Sequence, residues 1–298
     1  MKIFCNYYFY LFLCDNNKDI LIYMQTSVSI DLCIREIRQL TAFLKEKHGL
    51  DFNDYALTSF KRRVENFLVA NKFEMDTLFK KLESAEFTDH FAGQIVVGAT
   101  ELFRDPTIWI LLKNNYLANI LREHDRVRIW LPMCASGEEF YSLSILLKES
   151  GWSDRAEVHV SGISDETLTS IRNGKMKHEK LEISVKNYSR FQGAGQLSDY
   201  FKKTDEGISF DGSLFANTHF FRDGTEFHHD LPPMHLILFR NQMIYFNPTL
   251  QYKVCDALCN KLSVKGLLLL GIREEIDLNI NHQYVTLDKE ESIYQRKN

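Results

Sequence analysis

Beyond Pro106 the chain repeats one alternation: a short run rich in β-branched or aromatic residues, then a stretch with apolar residues three and four apart. No other feature limits the fold so strongly, because strands that alternate with helices are satisfied by a parallel sheet whose crossover helices cover its faces. The strand-like runs are 127–133, 157–163, 219–222, 235–239 and 266–270, and the helical stretches between them are 138–149, 165–173 and 248–262. From 177 to 217 the chain is polar and irregular. Ile208-Ser209-Phe210-Asp211-Gly212-Ser213-Leu214 reads there as a hairpin with Asp-Gly at its turn, so a small β insertion is expected.

The front of the chain has a different period. Ile30, Ile34, Ile37, Leu40 and Leu44 step by three and four and predict an amphipathic helix that His48-Gly49 ends. A second helix is expected to open near Asn53 and bury Leu57, Phe60, Val64 and Phe67, and a third to run from Met75 through Leu78, Phe79 and Leu82. Residues 24–97 therefore read as a small helical domain and 98–298 as an α/β domain. Lys61, Arg62 and Arg63 group at the middle of the second helix, either as a solvated face or as a docking face for an acidic partner. Residues 1–23 are an atypical extension. The aromatic-rich run from Ile3 to Cys14 is shorter than the ~20 apolar residues of a membrane span, and no small-residue cleavage site follows it. The leading expectation is that Met24 is the true start; a weak apolar anchor and an extra strand are the alternatives.

Charge and cysteine usage exclude other classes. With 36 Lys and Arg against 40 Asp and Glu, the net charge of −4 does not suit a protein that holds nucleic acid by bulk charge. The six cysteines fit neither a zinc ribbon nor a secreted disulfide framework, which favours reduced thiols in a cytoplasmic chain with no integral span. Cys255 and Cys259 share a helix face and are expected in the core. His228-His229-Asp230 is expected to be a solvated loop and no metal site, because adjacent side chains in an extended segment point apart. Ser136 lacks the context of a hydrolase nucleophile.

In an open parallel sheet, ligands bind beyond the carboxyl ends of the strands. The first strand of the alternation delivers Cys134-Ala135-Ser136-Gly137-Glu138-Glu139 to that edge, and a helix follows. Gly137 permits close backbone approach and the helix start offers free N–H groups. Neither phosphate-binding glycine pattern is present, and two carboxylates repel a polyphosphate, so a cationic or zwitterionic ligand fits better.

Three segments together carry a family resemblance. Thr100-Glu101-Leu102-Phe103-Arg104-Asp105-Pro106, Cys134 to Ser142, and Arg240-Asn241-Gln242-Met243-Ile244-Tyr245-Phe246 resemble, in order and spacing, the signatures of the CheR methyltransferases. The resemblance runs from about Leu40 to Glu275. It implies a small helical domain followed by a doubly wound, mostly parallel methyltransferase domain with a small β insertion. It also implies methyl transfer from S-adenosylmethionine to glutamate side chains of a protein such as a chemoreceptor cytoplasmic helix. Arg104 and Tyr245 would then be catalytic. Thr100, Arg104, Ala135, Ser136, Gly137, Glu138, Glu139, Gly162, Arg240 and Asn241 would contact the cofactor, and Lys61, Arg62 and Arg63 would dock the substrate. A monomer is expected.

The chain departs from the family pattern at several positions. Gly98 stands where an Asn is usual, and Gly162 where an Asp would take the ribose hydroxyls. Asp223-Gly224 replaces a His-Asn pair. Phe140, His235 and Phe239 replace Pro, Asp and Cys, and Gly271-Ile272-Arg273-Glu274 stands in place of Gly-His-Ser-Glu. These departures thin the cofactor contacts, so a degenerate binding or regulatory relative is the alternative reading.

Overall fold

The computed structural model describes residues 2–7, 26–96, 100–177 and 179–298. Two compact units divide the chain, Met1–Thr88 and Asp89–Asn298. Most of the head, with Met24, and also Gly98 lie outside the described residues.

In the first unit, β1 (Lys2–Tyr7) pairs antiparallel with β2 (Thr26–Asp31). Helices α1 (Ile34–His48), α2 (Leu57–Asn71) and α3 (Met75–Lys81) follow, and α4 (Ala85–Val96) carries the boundary, with most of its residues in the second unit. α1 buries Ile37, Leu40 and Leu44, and Gly49 ends it in the left-handed conformation at φ 70°. Ile30, expected in this helix, belongs to β2, and Ile34 is exposed. α2 starts later than expected because Asp51 accepts from the Asn53 N–H in a local turn and Tyr55 N–H bonds the Phe52 carbonyl. Phe60, Val64 and Phe67 are buried as expected, whereas Leu57 is exposed.

The second unit holds a seven-stranded sheet. Its strands are β3 (Val127–Leu131), β4 (Ala156–Gly162), β8 (Thr218–Arg222), β9 (Met234–Leu238), β10 (Leu262–Leu269), β11 (Tyr284–Asp288) and β12 (Ile293–Arg296), in the order β11-β12-β10-β9-β3-β4-β8. The five strands from β8 to β10 are mutually parallel, and β12 runs against them, pairing antiparallel with both β10 and β11. The chain builds outward from β3 to β4 and β8, then returns to β9 and β10. Strand order thus reverses beside β3, which puts the crevice where the loop after β3 emerges. Helices α5 (Pro106–Leu111) and α6 (Leu117–Glu123), joined by a π turn at Leu112–Tyr116, precede the sheet; α7 (Glu138–Glu149), α8 (Asp165–Arg172), α9 (Leu181–Phe191) and α10 (Pro248–Lys261) follow. Every residue of β9 is buried, as a strand covered on both faces requires. Full burial of side chains such as Leu143, Ile129 and Leu236 contributes ~1.5 to 3 kcal/mol each.

The insertion is present but is built differently from its reading. β5 (Lys175–Met176), β6 (Phe201–Thr204) and β7 (Gly207–Phe210) form a separate antiparallel sheet in the order β5-β7-β6. The hairpin turns at Asp205-Glu206, one strand earlier than expected. Asp211-Gly212 instead opens a 3₁₀ turn, because the Asp211 carboxylate accepts the Ser213 N–H. The segment read as irregular also contains α9. Cys255 and Cys259 are buried, and burial pushes the Cys255 thiol up to about 12.

Candidate active site

The loop after β3 is tightly held. Cys134 N–H donates to the Ser161 carbonyl at 2.6 Å, tying the loop to β4. Gly137 adopts φ 91° at the start of α7, where an added Cβ would lie 2.9 Å from the Tyr141 ring. Met133 adopts φ 53° although it has a side chain, a strain the sequence did not reveal. Glu138, first residue of α7, is buried and accepts from the Ser136 hydroxyl. Burial raises its carboxyl above the ordinary range, and the Ser136 bond opposes the rise.

Arg104 comes from the loop before α5, where Phe103 (φ 52°) and Asp105 (φ 53°) are both left-handed. Such conformations cost ~1 to 3 kcal/mol each outside glycine, so surrounding bonds must impose them. Leu102 N–H donates to Ser184 Oγ at 3.1 Å, Asn187 Nδ2 donates to the Leu102 carbonyl at 3.3 Å, and Phe103 N–H donates to Ser142 Oγ at 2.8 Å. The Arg104 carbonyl takes the Trp109 indole N–H at 2.9 Å and Arg240 Nη1 at 3.3 Å.

Arg240, at the end of β9, has a side chain only 2% exposed. Its guanidinium reaches Asp105 at 2.7 Å and Glu139 at 3.0 Å and lies over the Trp109 ring at 5.9 Å. Burial raises the Glu139 carboxyl, and Arg240 opposes that rise. Beyond Arg240, Asn241 is left-handed at φ 60°. One buried carboxylate fixes this turn: Glu274 accepts the N–H groups of Asn241 (2.7 Å), Gly271 (2.7 Å) and Ile244 (3.2 Å). Its surroundings desolvate it and raise its carboxyl, while the three N–H groups pull the other way.

These segments enclose a cavity of about 140 Å³. Thr100, Arg104, Ala135, Ser136, Gly137, Glu138, Glu139, Arg240, Asn241 and Tyr245 all line it, so residues from three distant segments converge on one cavity. A groove of about 750 Å³ shares Thr100, Ala135, Ser136 and Glu138 with the cavity and extends to β5 and β7. Gly162 belongs to neither lining.

A family model described as CheR methyltransferase, SAM binding domain, matches residues 98–293. The chain belongs to the CheR methyltransferase family. It is 26% identical over 266 residues to the Pseudomonas putida methyltransferase named Cher3, covering 88% of this chain and 96% of that protein. A chemotaxis protein methyltransferase of Listeria monocytogenes is 25% identical over 241 residues, covering 79% and 88% respectively. That of Escherichia coli is 24% identical over 261 residues, covering 84% and 88%. As a CheR methyltransferase the chain is an S-adenosylmethionine-dependent enzyme.

The donor set of this CheR chain suits that cofactor at its methionine end. The Glu138 carboxylate on the lining matches an ammonium in charge, and the buried Nε of Arg240, another lining residue, has no partner in the protein. The nucleoside end is thinner. Gly162 closes β4 without a carboxylate, and a Cβ there would lie 2.8 Å from the Cys134 carbonyl oxygen. Asp223, whose N–H donates to the Gly162 carbonyl at 2.9 Å, brings a buried carboxylate beside it. One oxygen of Asp223 accepts the Gly224 and His228 N–H groups; the other has no partner.

Sequence reasoning missed Asp89 and the roles of Glu274 and Asp105. Asp89 accepts from Ser164 Oγ and from the Asp165 and Glu166 N–H groups, capping α8 from outside, and pairs with Arg222 at 3.1 Å. Nothing local to Asp89 announces a partner 75 residues away. In the first unit, Lys61 is held by Asp31 at 2.5 Å and Glu65 at 3.6 Å, and the Asp31 bond raises its pKa. Arg62 is exposed and Arg63 half-buried. His228 and His229 are exposed, as a solvated loop requires. Among the described residues no helix is long and apolar enough to cross a membrane.

Proposed function

We propose that this chain methylates glutamate side chains of a protein acceptor, with a chemoreceptor cytoplasmic helix as the model acceptor, and that it works in the cytoplasm. The observation that carries the reading is the convergence of Arg104, Glu138 and Tyr245 on one cavity. When bound, S-adenosylmethionine supplies an electrophilic methyl on a cationic sulfur. An acceptor carboxylate that is already ionised would need no proton removed from it. The chain therefore needs no strong base. Its work is alignment and exclusion of water, which can contribute up to ~7 to 11 kcal/mol. Glu138 receives the cofactor's ammonium, and Thr100 and the 135–137 backbone flank the same end. Arg104 and the Tyr245 hydroxyl steer the acceptor carboxylate. Arg62, with its neighbours on α2, offers positive charge to an acidic acceptor helix.

The thin nucleoside end at Gly162 favours one second reading, a relative that binds the cofactor weakly and turns over slowly or not at all. Calorimetry with S-adenosylmethionine and S-adenosylhomocysteine, followed by incubation of a receptor fragment with methyl-labelled cofactor, separates the two. Base-labile label on glutamate supports the enzyme. Binding without label supports the second reading, and no binding at millimolar cofactor overturns both.

A further inference from the structure

Asp105 stands immediately before Pro106, the first residue of α5, which is where an Asp ordinarily caps a helix with its own side chain. Here it makes no cap bond to the helix. Its carboxylate turns the other way, 2.7 Å from Arg240 Nη2 and 3.8 Å from Arg104 Nε. It also holds a left-handed backbone to do so, at φ 53°. A cap given up and a strained dihedral both require an interaction that repays them, and the two arginines are the interaction present.

The charges around this carboxylate form a chain. Glu139 pairs with Arg240, Arg240 with Asp105, and Asp105 with Arg104. Exposure rises along it, from 2% for the Arg240 side chain to 22% for Asp105 and 38% for Arg104. The buried end is rigid because Arg240 also donates to the Arg104 carbonyl. Arg104 lines the cavity, whereas Asp105 does not. At 3.8 Å the Asp105 carboxylate lies beyond hydrogen-bond reach of Arg104 Nε, so it acts on that guanidinium by charge, from its Nε side.

We propose that Asp105 is the positioning residue for Arg104: braced by Arg240, its charge holds the Arg104 guanidinium where it meets the acceptor carboxylate. The proposal rests on the methyl-transfer reading above for its catalytic consequence, and on the free protein for its geometry.

Asp105→Asn tests it, since Asn is isosteric and tolerates a left-handed backbone. The Arg104 Nε–H resonance of the ¹⁵N-labelled free protein is assigned by its loss in Arg104→Ala. In Asp105→Asn its hydrogen exchange is expected to accelerate threefold or more, because a nearby negative charge slows base-catalysed exchange. In turnover assays kcat falls at least tenfold while the KM for S-adenosylmethionine changes less than threefold, because Arg104 keeps its charge and loses only its alignment. Exchange within twofold of the unsubstituted protein overturns the proposal, as does a loss that falls on KM with kcat intact. If Asp105→Asn does not fold by near-ultraviolet circular dichroism, Asp105→Glu is measured with the same expectations, since it keeps the charge and displaces it by one methylene. Failure of the unsubstituted protein to methylate any acceptor overturns the function reading alone, and the exchange measurement still decides this one.

Discussion

At the residue scale, the roles of individual groups follow from burial set against partners. Glu138 must be ionised to accept from an ammonium, yet its carboxyl is raised by burial. Cofactor affinity should therefore begin to weaken, as pH falls, above the range in which an exposed glutamate would protonate. Binding should also release a proton in that window. Glu138→Gln should abolish this pH dependence and weaken S-adenosylhomocysteine about tenfold, the worth of one charge-assisted bond. Calorimetry in buffers of different ionisation enthalpy checks both. Arg240 makes the opposite case, a cation buried between two carboxylates. Arg240→Met strands Glu139 and Asp105, so an unfolding free energy lower by about 3 to 5 kcal/mol is expected in urea titrations. The motif strings made Arg104, Glu138 and Tyr245 legible from the sequence. They could not reveal that Asp105 abandons its cap, because Asp before Pro reads as a cap whichever way its side chain turns.

Among the elements, legibility depended on whether the hydrophobic pattern pointed inward. β3, β4 and β9 are largely buried and were read to within two residues, whereas β10 opens at Leu262, four residues before the expected 266. α9 was missed because Ile183 and Val185 are exposed while Ser184 and Asn187 face inward to hold Leu102. The β11–β12 hairpin was missed because its strands are short and half-polar, and β12 is defined by its ladder with β10. The turn after β9 is the element whose stability is most concentrated in one side chain. Glu274→Ala leaves three backbone N–H groups without their carboxylate, two of them bonded at 2.7 Å. It should cost about 3 kcal/mol or more. Amide exchange at Asn241, Ile244 and Gly271 should accelerate together, and exchange at only one of them would show that the turn is not held as a unit.

For the whole molecule, pH dependence is set by groups far from the cavity as well as within it. His235 is buried, accepts the Arg128 N–H and faces Arg128 and His124, and burial lowers its pKa to about 4. The unfolded chain binds this proton near pH 6.5 and the folded chain does not. The stability it confers is therefore complete above about 6.5 and is lost as pH falls toward 4, by up to about 3 kcal/mol. His235→Asn should flatten that part of the profile when urea midpoints are compared at pH 7 and pH 4.5. The net charge of −4 hides such local arrangements, since Lys61 is neutralised by two acids while Arg62 remains exposed. Arg62→Glu should raise the KM for an acidic acceptor severalfold at low salt and leave cofactor affinity unchanged, as expected of an exposed charge that steers encounter.

Gly162 carries a consequence for redesign as well as for the site. A Cβ at that position meets the Cys134 carbonyl, a backbone atom that cannot swing aside as a side chain can. The ribose carboxylate of the family pattern therefore cannot be regained by one substitution. Gly162→Asp should displace the loop that carries Glu138 and weaken cofactor binding instead of strengthening it. A carboxylate at this position would need a second change, one that moves the Cys134 backbone out of its way.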